Sequence, residues 1–259
     1  MYTADTLRKG LRTSRFGSKI YTFDTIDSTN NCARTLAGCW AEEGTVIIAE
    51  QQTAGRGRLG RSWEANPNEN LIFSIILRPT MSPEAINLLP LSVSVAVAQA
   101  VEQCTGLRLE CKWPNDLLVN SRKVAGILLE GSFSKNAVEW IVIGIGVNVN
   151  QTRFPGDLDQ KATSLKLACN KEIDRTALFR AILESLERYY RVGTDTGFQS
   201  ILPDWIARTT MIDKNISVME NGKVLSGTVK GLSRDGGLIL RTEETERTLF
   251  AGDVTILAT

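Results

Sequence analysis

Residues 52–63 read QTAGRGRLGRSW, with Gly55, Gly57 and Gly60 interleaved with Arg56, Arg58 and Arg61 and no acidic residue among them. Glycine lets a backbone turn sharply and approach a ligand closely, and a guanidinium fork matches the oxygens of phosphate or carboxylate. The loop is therefore built to receive an anion, unless it is simply a solvated basic loop. Its literal G-x-G-x-x-G does not read as a dinucleotide site, because Asn66-Pro67-Asn68 follows where a helix is needed. A second polar group, Lys112, Asn115 and Asp116 in KWPND with Lys123 opening KVAGILLEG, lies in very apolar sequence. Charges in such surroundings are paired with one another or used on a ligand. Gly126, Gly144 and Gly146 mark strand positions open to close approach, and Asn148 is a polar group at the end of one of those strands. Histidine is absent from all 259 residues, which excludes Ser-His-Asp and Cys-His relays and histidine zinc sites.

The elements that must carry these groups follow from periodicity. A short N-terminal helix with Leu7 and Leu11 on one side precedes a strand at 19–23. Asp27-Ser28-Thr29-Asn30 is a capping run for a helix whose face is Ala33, Leu36, Ala37 and Trp40, closed by Gly44. Strands at 45–50 and 70–77 bracket the glycine-rich loop. Ser82-Pro83 opens a helical region that continues as a largely buried helix over 92–104 and stops at Gly106. Strands at 109–113, 116–119, 123–130 and 138–149 follow, the middle pair joined by a turn at Asn120-Ser121-Arg122. The spacing then predicts amphipathic helices over 174–190 and 198–206. From 212 to 257 short β-rich runs alternate with turn signals such as Glu220-Asn221-Gly222-Lys223, predicting a small barrel of about five strands. These readings make an α+β fold with a mixed, mostly antiparallel sheet, divided into residues 1–210 and 211–259.

Composition narrows the setting. Thirty basic residues against 29 acidic ones, a formal charge of +1, argue against a nucleic-acid or membrane-surface binder. The five cysteines lack a C-x-x-C and sit in apolar segments, reading as buried thiols of a reducing compartment. With no apolar signal-peptide core at the N-terminus, the expected location is the cytoplasm.

Together, DSTN at 27–30, Gln52 with AGRGRLGRSW, KWPNDLLV, KVAGILLE and GIGVNVN resemble, in order and spacing, the biotin protein ligases. The resemblance is dense from about residue 23 to 150. It implies a catalytic domain related to class II aminoacyl-tRNA synthetases and an SH3-like C-terminal domain. It also implies an enzyme that activates biotin with ATP as biotinyl-5′-AMP and transfers it to a lysine of a biotin carboxyl carrier domain of a carboxylase. About 26 residues precede DSTN, too few for the helix-turn-helix domain of some members, so the expected form lacks it. By resemblance, biotin is bound by Ser28, Thr29, Asn30, Gln52, Gly55, Arg56, Arg58, Lys123 and Gly126, with Ser28, Thr29 and Gln52 on its ureido group. ATP is bound by Arg58, Arg61, Trp63, Lys112, Asn115, Lys123 and Asn148, with Trp63 stacking on adenine. Magnesium enters with ATP, without a dedicated protein site.

A carboxylate is a poor electrophile, so adenylation must hold two anions together, the role expected of Arg56, Arg58, Arg61, Lys112 and Lys123. The expected catalytic residues are Lys123, Arg58 and Asp116, Asp116 acting on the acceptor amine. The chain is expected as a monomer or homodimer that binds neither nucleic acid nor membrane. Rival readings are a lipoate ligase-like acyltransferase, an RNA-binding module using the Arg-Gly loop, and a non-catalytic biotin-binding regulator.

Overall fold

Alternating apolar residues build a sheet that is closed on one face and only half covered on the other, in a computed structural model that describes residues 2–134, 137–220 and 222–257. Helix α1 (Ala4–Arg8) leads to strand β1 (Ile20–Ile26), helix α2 (Thr29–Gly38), β2 (Val46–Gln52) and β3 (Leu71–Leu77). Helix α3 (Leu88–Thr105) is followed by β4 (Glu110–Lys112), β5 (Asp116–Val119), β6 (Arg122–Ser134) and β7 (Ala137–Val147). Next come α4 (Leu158–Lys161), α5 (Leu165–Cys169), α6 (Arg175–Thr196) and α7 (Leu202–Ile206). The strands order as β1-β2-β3-β7-β6-β5-β4. Only β1 and β2 run parallel; the remaining neighbours are antiparallel.

Strand periodicity assigns the two faces. Ile48, Phe73, Ile75, Leu77, Ile141 and Ile143 point toward α3 and α6 in the main core. Helix α3 is apolar on every side and long enough to cross a membrane by composition, but it serves as the buried spine of this layer. Ile47, Ile76 and Val142 point the other way, where Ala33 and Ala37 of α2 cover them in a separate small core. Helix α2 covers one end of that face. The rest of the face, toward β6 and β5, is where the site lies.

Several boundaries differ from expectation. Helix α2 stops at Gly38, leaving Trp40 outside it at φ 61°, 85% exposed, with the Arg78 guanidinium 5.3 Å from its ring centre. The apolar spacing that placed Trp40 on the helix face coincided with a residue beyond the helix. Strand β6 runs on to Ser134, past its expected end at 130, β7 starts one residue earlier and stops two residues earlier than expected, and α6 continues to Thr196. Cys39 is exposed, contrary to the reading of buried thiols, because it caps α2 at the surface; Cys111 is buried, the other three are partly buried, and all five are free.

The C-terminal segment forms β8 (Asn215–Glu220), β9 (Lys223–Leu232), β10 (Leu238–Arg241), β11 (Glu246–Leu249) and β12 (Asp253–Ile256). They make an antiparallel sheet ordered β11-β10-β9-β8-β12. The turn between β8 and β9 was expected at 220–223, and its Asn221 lies outside the described residues. Trp113 ties the two sheets together, its buried indole N–H donating to Gly236 O at 3.2 Å.

Candidate active site

Strand register lays the site out in rows. Asp116, Gly126, Gly146 and Ile72 are neighbours across β5, β6, β7 and β3. The next row is Leu128, Gly144 and Ser74, and the next Glu130, Val142 and Ile76. All lie on the face that α2 leaves partly open. A cavity of about 290 Å³ stands over the first row and over Leu128 and Gly144 of the second, roofed by the glycine-rich loop.

The polar end of this cavity begins where β2 and α2 meet. The parallel register pairs Ile26 with Gln52, placing Gln52 beside the first turn of α2. Ser28 is the N-cap residue, and Ser28, Thr29 and Asn30 are all buried. The Gln52 Oε1 accepts from the Thr29 backbone N–H at 2.8 Å and its hydroxyl at 3.0 Å. With that oxygen committed, the amide nitrogen of Gln52 is left to donate elsewhere. Asn30 lies so close over the sheet that a Cβ on Gly144 would come within 2.2 Å of its Oδ1. Here the missing side chain is what seats a neighbour.

The glycine-rich loop folds back on itself. Trp63 N–H donates to Gly55 O at 3.0 Å, Gly57 N–H to Arg61 O at 2.7 Å, and Leu59 at the tip is exposed at φ 55°. Trp63 lies on Gly126 and Gly146: a Cβ there would come within 2.9 and 2.4 Å of the indole. Its indole N–H is buried without a hydrogen-bond partner. Arg58 reaches inward, donating to Asn115 Oδ1 at 3.1 Å and Gly252 O at 3.4 Å, while Asn115 donates to Ile127 O at 2.6 Å. Burial lowers the pKa of Arg58, an effect opposed by Asp116 and Asp253. A guanidinium held by neutral oxygens keeps its charge available to a ligand anion. Arg56 is instead paired with Glu130 at 2.9 Å, and Arg61 with Asp253 of the C-terminal sheet.

On the opposite wall Lys123 Nζ lies 2.6 Å from Asp116 Oδ1 and 5.5 Å from the Trp63 ring centre. Lys112 lines the same cavity with no ion-pair partner among the described residues. Asn148 is buried, its Nδ2 donating to Thr163 O at 3.1 Å and its Oδ1 left without a partner. A buried acceptor of this kind calls for a donor from a ligand.

Of the residues assigned from sequence to biotin, ATP or catalysis, all but Gly55 line the cavity. Gly55 does not: it lies behind Trp63, where a Cβ would come within 2.5 Å of Trp63 O, so its contribution is to close the loop. Sequence reading passed over Ser74 and Glu130, ordinary strand residues whose importance lies in cross-strand neighbours. It also passed over the wall made by Phe154, Leu158 and Lys161, and Asp253, which comes from another sheet.

Residues 22–148 match the Biotin/lipoate A/B protein ligase family, and residues 211–257 match the Biotin protein ligase C terminal domain. The bifunctional ligase/repressor BirA of Bacillus subtilis is 36% identical over 250 residues, covering 96% of this chain and 77% of that protein. A biotin ligase for acetyl-CoA carboxylase from Paracoccus denitrificans is 32% identical, covering 88% of this chain and 96% of its own length. The solved biotin protein ligase of Aquifex aeolicus, in complex with biotin and ATP, superposes with a TM-score of 0.79 at 27% identity, over 93% of this chain and 100% of that one.

Proposed function

This chain belongs to the biotin protein ligases, and we propose that the cavity beneath its glycine-rich loop carries both halves of the reaction. The enzyme joins biotin to ATP, giving biotinyl-5′-AMP and pyrophosphate, then passes the biotinyl group to a lysine of a carrier domain of a biotin-dependent carboxylase, releasing AMP. Relatives that are biotin ligases for acetyl-CoA carboxylase favour biotin over lipoate. The observation that supports the assignment of the site is convergence: Arg58, Lys112 and Lys123, from three separate stretches, share one cavity with Ser28, Thr29 and Gln52.

In this reading the ureido group of biotin meets Ser28, Thr29 and Gln52, and its carboxylate lies toward Arg58 and Lys123. Lys112 and Arg61 serve the phosphates. The carboxylate oxygen attacks the α-phosphorus, and the cations offset the negative charge that builds there. Trp63 stacks on adenine, and the unpartnered Oδ1 of Asn148 accepts from the exocyclic amine. In the second half, a lysine of pKa near 10.4 is only about 0.04% neutral at pH 7, so its proton must be taken as it attacks. Asp116 accepts it, and the amine displaces AMP from the acyl carbon.

Magnesium fits as part of the nucleotide. Among the described residues no cluster of three or more acidic or thiol ligands exists. Of the three carboxylates lining the cavity, Asp116 and Asp253 are paired with Lys123 and Arg61, and Glu64 accepts from the Ser62 hydroxyl at 3.3 Å. The ion would therefore be held mainly by phosphate oxygens and water, screening phosphate charge. Residues 1–210 form the catalytic part and 211–259 a second domain that closes one side of the cavity through Gly252 and Asp253. Five free thiols accord with a cytoplasmic setting.

The direct test mixes the protein with biotin, MgATP and a carrier domain and measures AMP and a mass increase on one lysine. Lipoate in place of biotin should give neither. Absence of biotinylated carrier would overturn the reading.

A further inference from the structure

A carboxylate that does not itself line the cavity, Glu130, backs two residues that do, Asn30 and Arg56, and has no place in the chemistry above. Glu130 follows Gly126 and Leu128 on the same face of β6. Its Oε2 accepts from Asn30 Nδ2 at 2.8 Å and from Arg56 at 2.9 Å, and its Oε1 from Arg56 at 3.1 Å and Arg34 at 3.4 Å. An ionised carboxylate only accepts, so it holds the Asn30 amide with its nitrogen toward Glu130 and its oxygen toward Ser74.

The consequence passes along a chain of contacts. Ser74 Oγ lies 2.6 Å from Asn30 Oδ1 and 2.8 Å from Thr29 Oγ1. Ser74 has one hydroxyl proton and Asn30 Oδ1 has none, so that proton is committed to Asn30. Ser74 Oγ can then only accept from the Thr29 hydroxyl across their 2.8 Å contact, and the Thr29 oxygen keeps both lone pairs for a ligand N–H. The Thr29 backbone N–H, donating at 2.8 Å, keeps Gln52 Oε1 engaged, so the Gln52 amide nitrogen remains a donor beside that oxygen. An acceptor beside a donor suits a cyclic urea, which offers N–H groups next to a carbonyl.

We propose that Glu130 is a positioning residue for biotin: it sets the direction of the hydrogen-bond chain Thr29–Ser74–Asn30 and so leaves the Thr29 oxygen as an acceptor for the ureido group. This inference rests on the proposed biotin site.

Glu130→Gln preserves shape but supplies a donor, allowing the Asn30 amide to turn over and reverse the chain. Its KM for biotin in pyrophosphate release should rise about tenfold, the weight of one well-placed hydrogen bond, with the KM for ATP within twofold of wild type. Ser74→Ala cuts the same chain without touching Arg56 and should raise the biotin KM similarly. The double variant should be no worse than the more impaired single one, since both act through one chain. Thermal melting and circular dichroism establish that each variant is folded. An unchanged biotin KM in folded Glu130→Gln, equal rises for biotin and ATP, or additive effects in the double variant would each overturn the proposal. A wild-type protein that makes no biotinyl-adenylate would instead overturn the function on which it rests.

Discussion

Lys123 and Asp116 stand 2.6 Å apart on adjacent antiparallel strands, a cation and a base sharing one wall of the cavity. The pairing satisfies both charges before substrate arrives, and each has a separate task afterwards.

Lys123→Ala removes charge from the adenylation step and should reduce pyrophosphate release at least 100-fold. Asp116→Asn leaves that cation in place, so adenylate should still form at near wild-type rate while transfer to the carrier lysine falls about 100-fold, the scale of a lost general base. Single-turnover assays of the two halves separate these outcomes. Equal loss of adenylate in both variants would remove the division of labour.

Arg58 bridges the loop to Asn115 and to the C-terminal sheet at Gly252. Arg58→Gly cuts both links and adds freedom to a loop that must exclude water from a mixed anhydride. Preformed biotinyl-adenylate should leave this variant at least tenfold faster than it leaves wild type, measured by rapid filtration after a chase. Equal release rates would end the retention role.

Two glycines of β7 should separate the two substrates. A methyl at Gly144 meets Asn30, whereas one at Gly146 meets Trp63. Gly144→Ala should therefore weaken biotin and spare ATP, and Gly146→Ala the reverse, each with about 1–3 kcal/mol lost stability from overpacking. Calorimetric titration with biotin and with a non-hydrolysable ATP analogue reads the two affinities.

Thiol reactivity should follow burial. Burial pushes the Cys111 thiol up to about 12, so at pH 8 only about one molecule in 10⁴ carries the thiolate, while Cys39 is exposed. Native protein treated with iodoacetamide at pH 8 should be alkylated at Cys39 first and at Cys111 only after unfolding, as peptide mass mapping would reveal.

What the sequence determined by itself was chemistry and local form. A run of three arginines and three glycines without an acid, a capping Ser28 before an apolar helical face, and strands of alternating Ile, Val and Leu are legible because each depends on near neighbours in the chain. The tertiary structure alone decided which groups meet. Glu130 reads as one more charge in a strand until register sets it two rows from Gly126 and packing brings Asn30 and Arg56 onto it. Arg56 and Arg61 look equivalent to Arg58 in sequence, yet carboxylates from β6 and from β12 claim the outer two and leave Arg58 on neutral oxygens. Those partners lie 74 and 192 residues away along the chain, a separation that local propensity does not sense and that strand pairing and the docking of two sheets resolve.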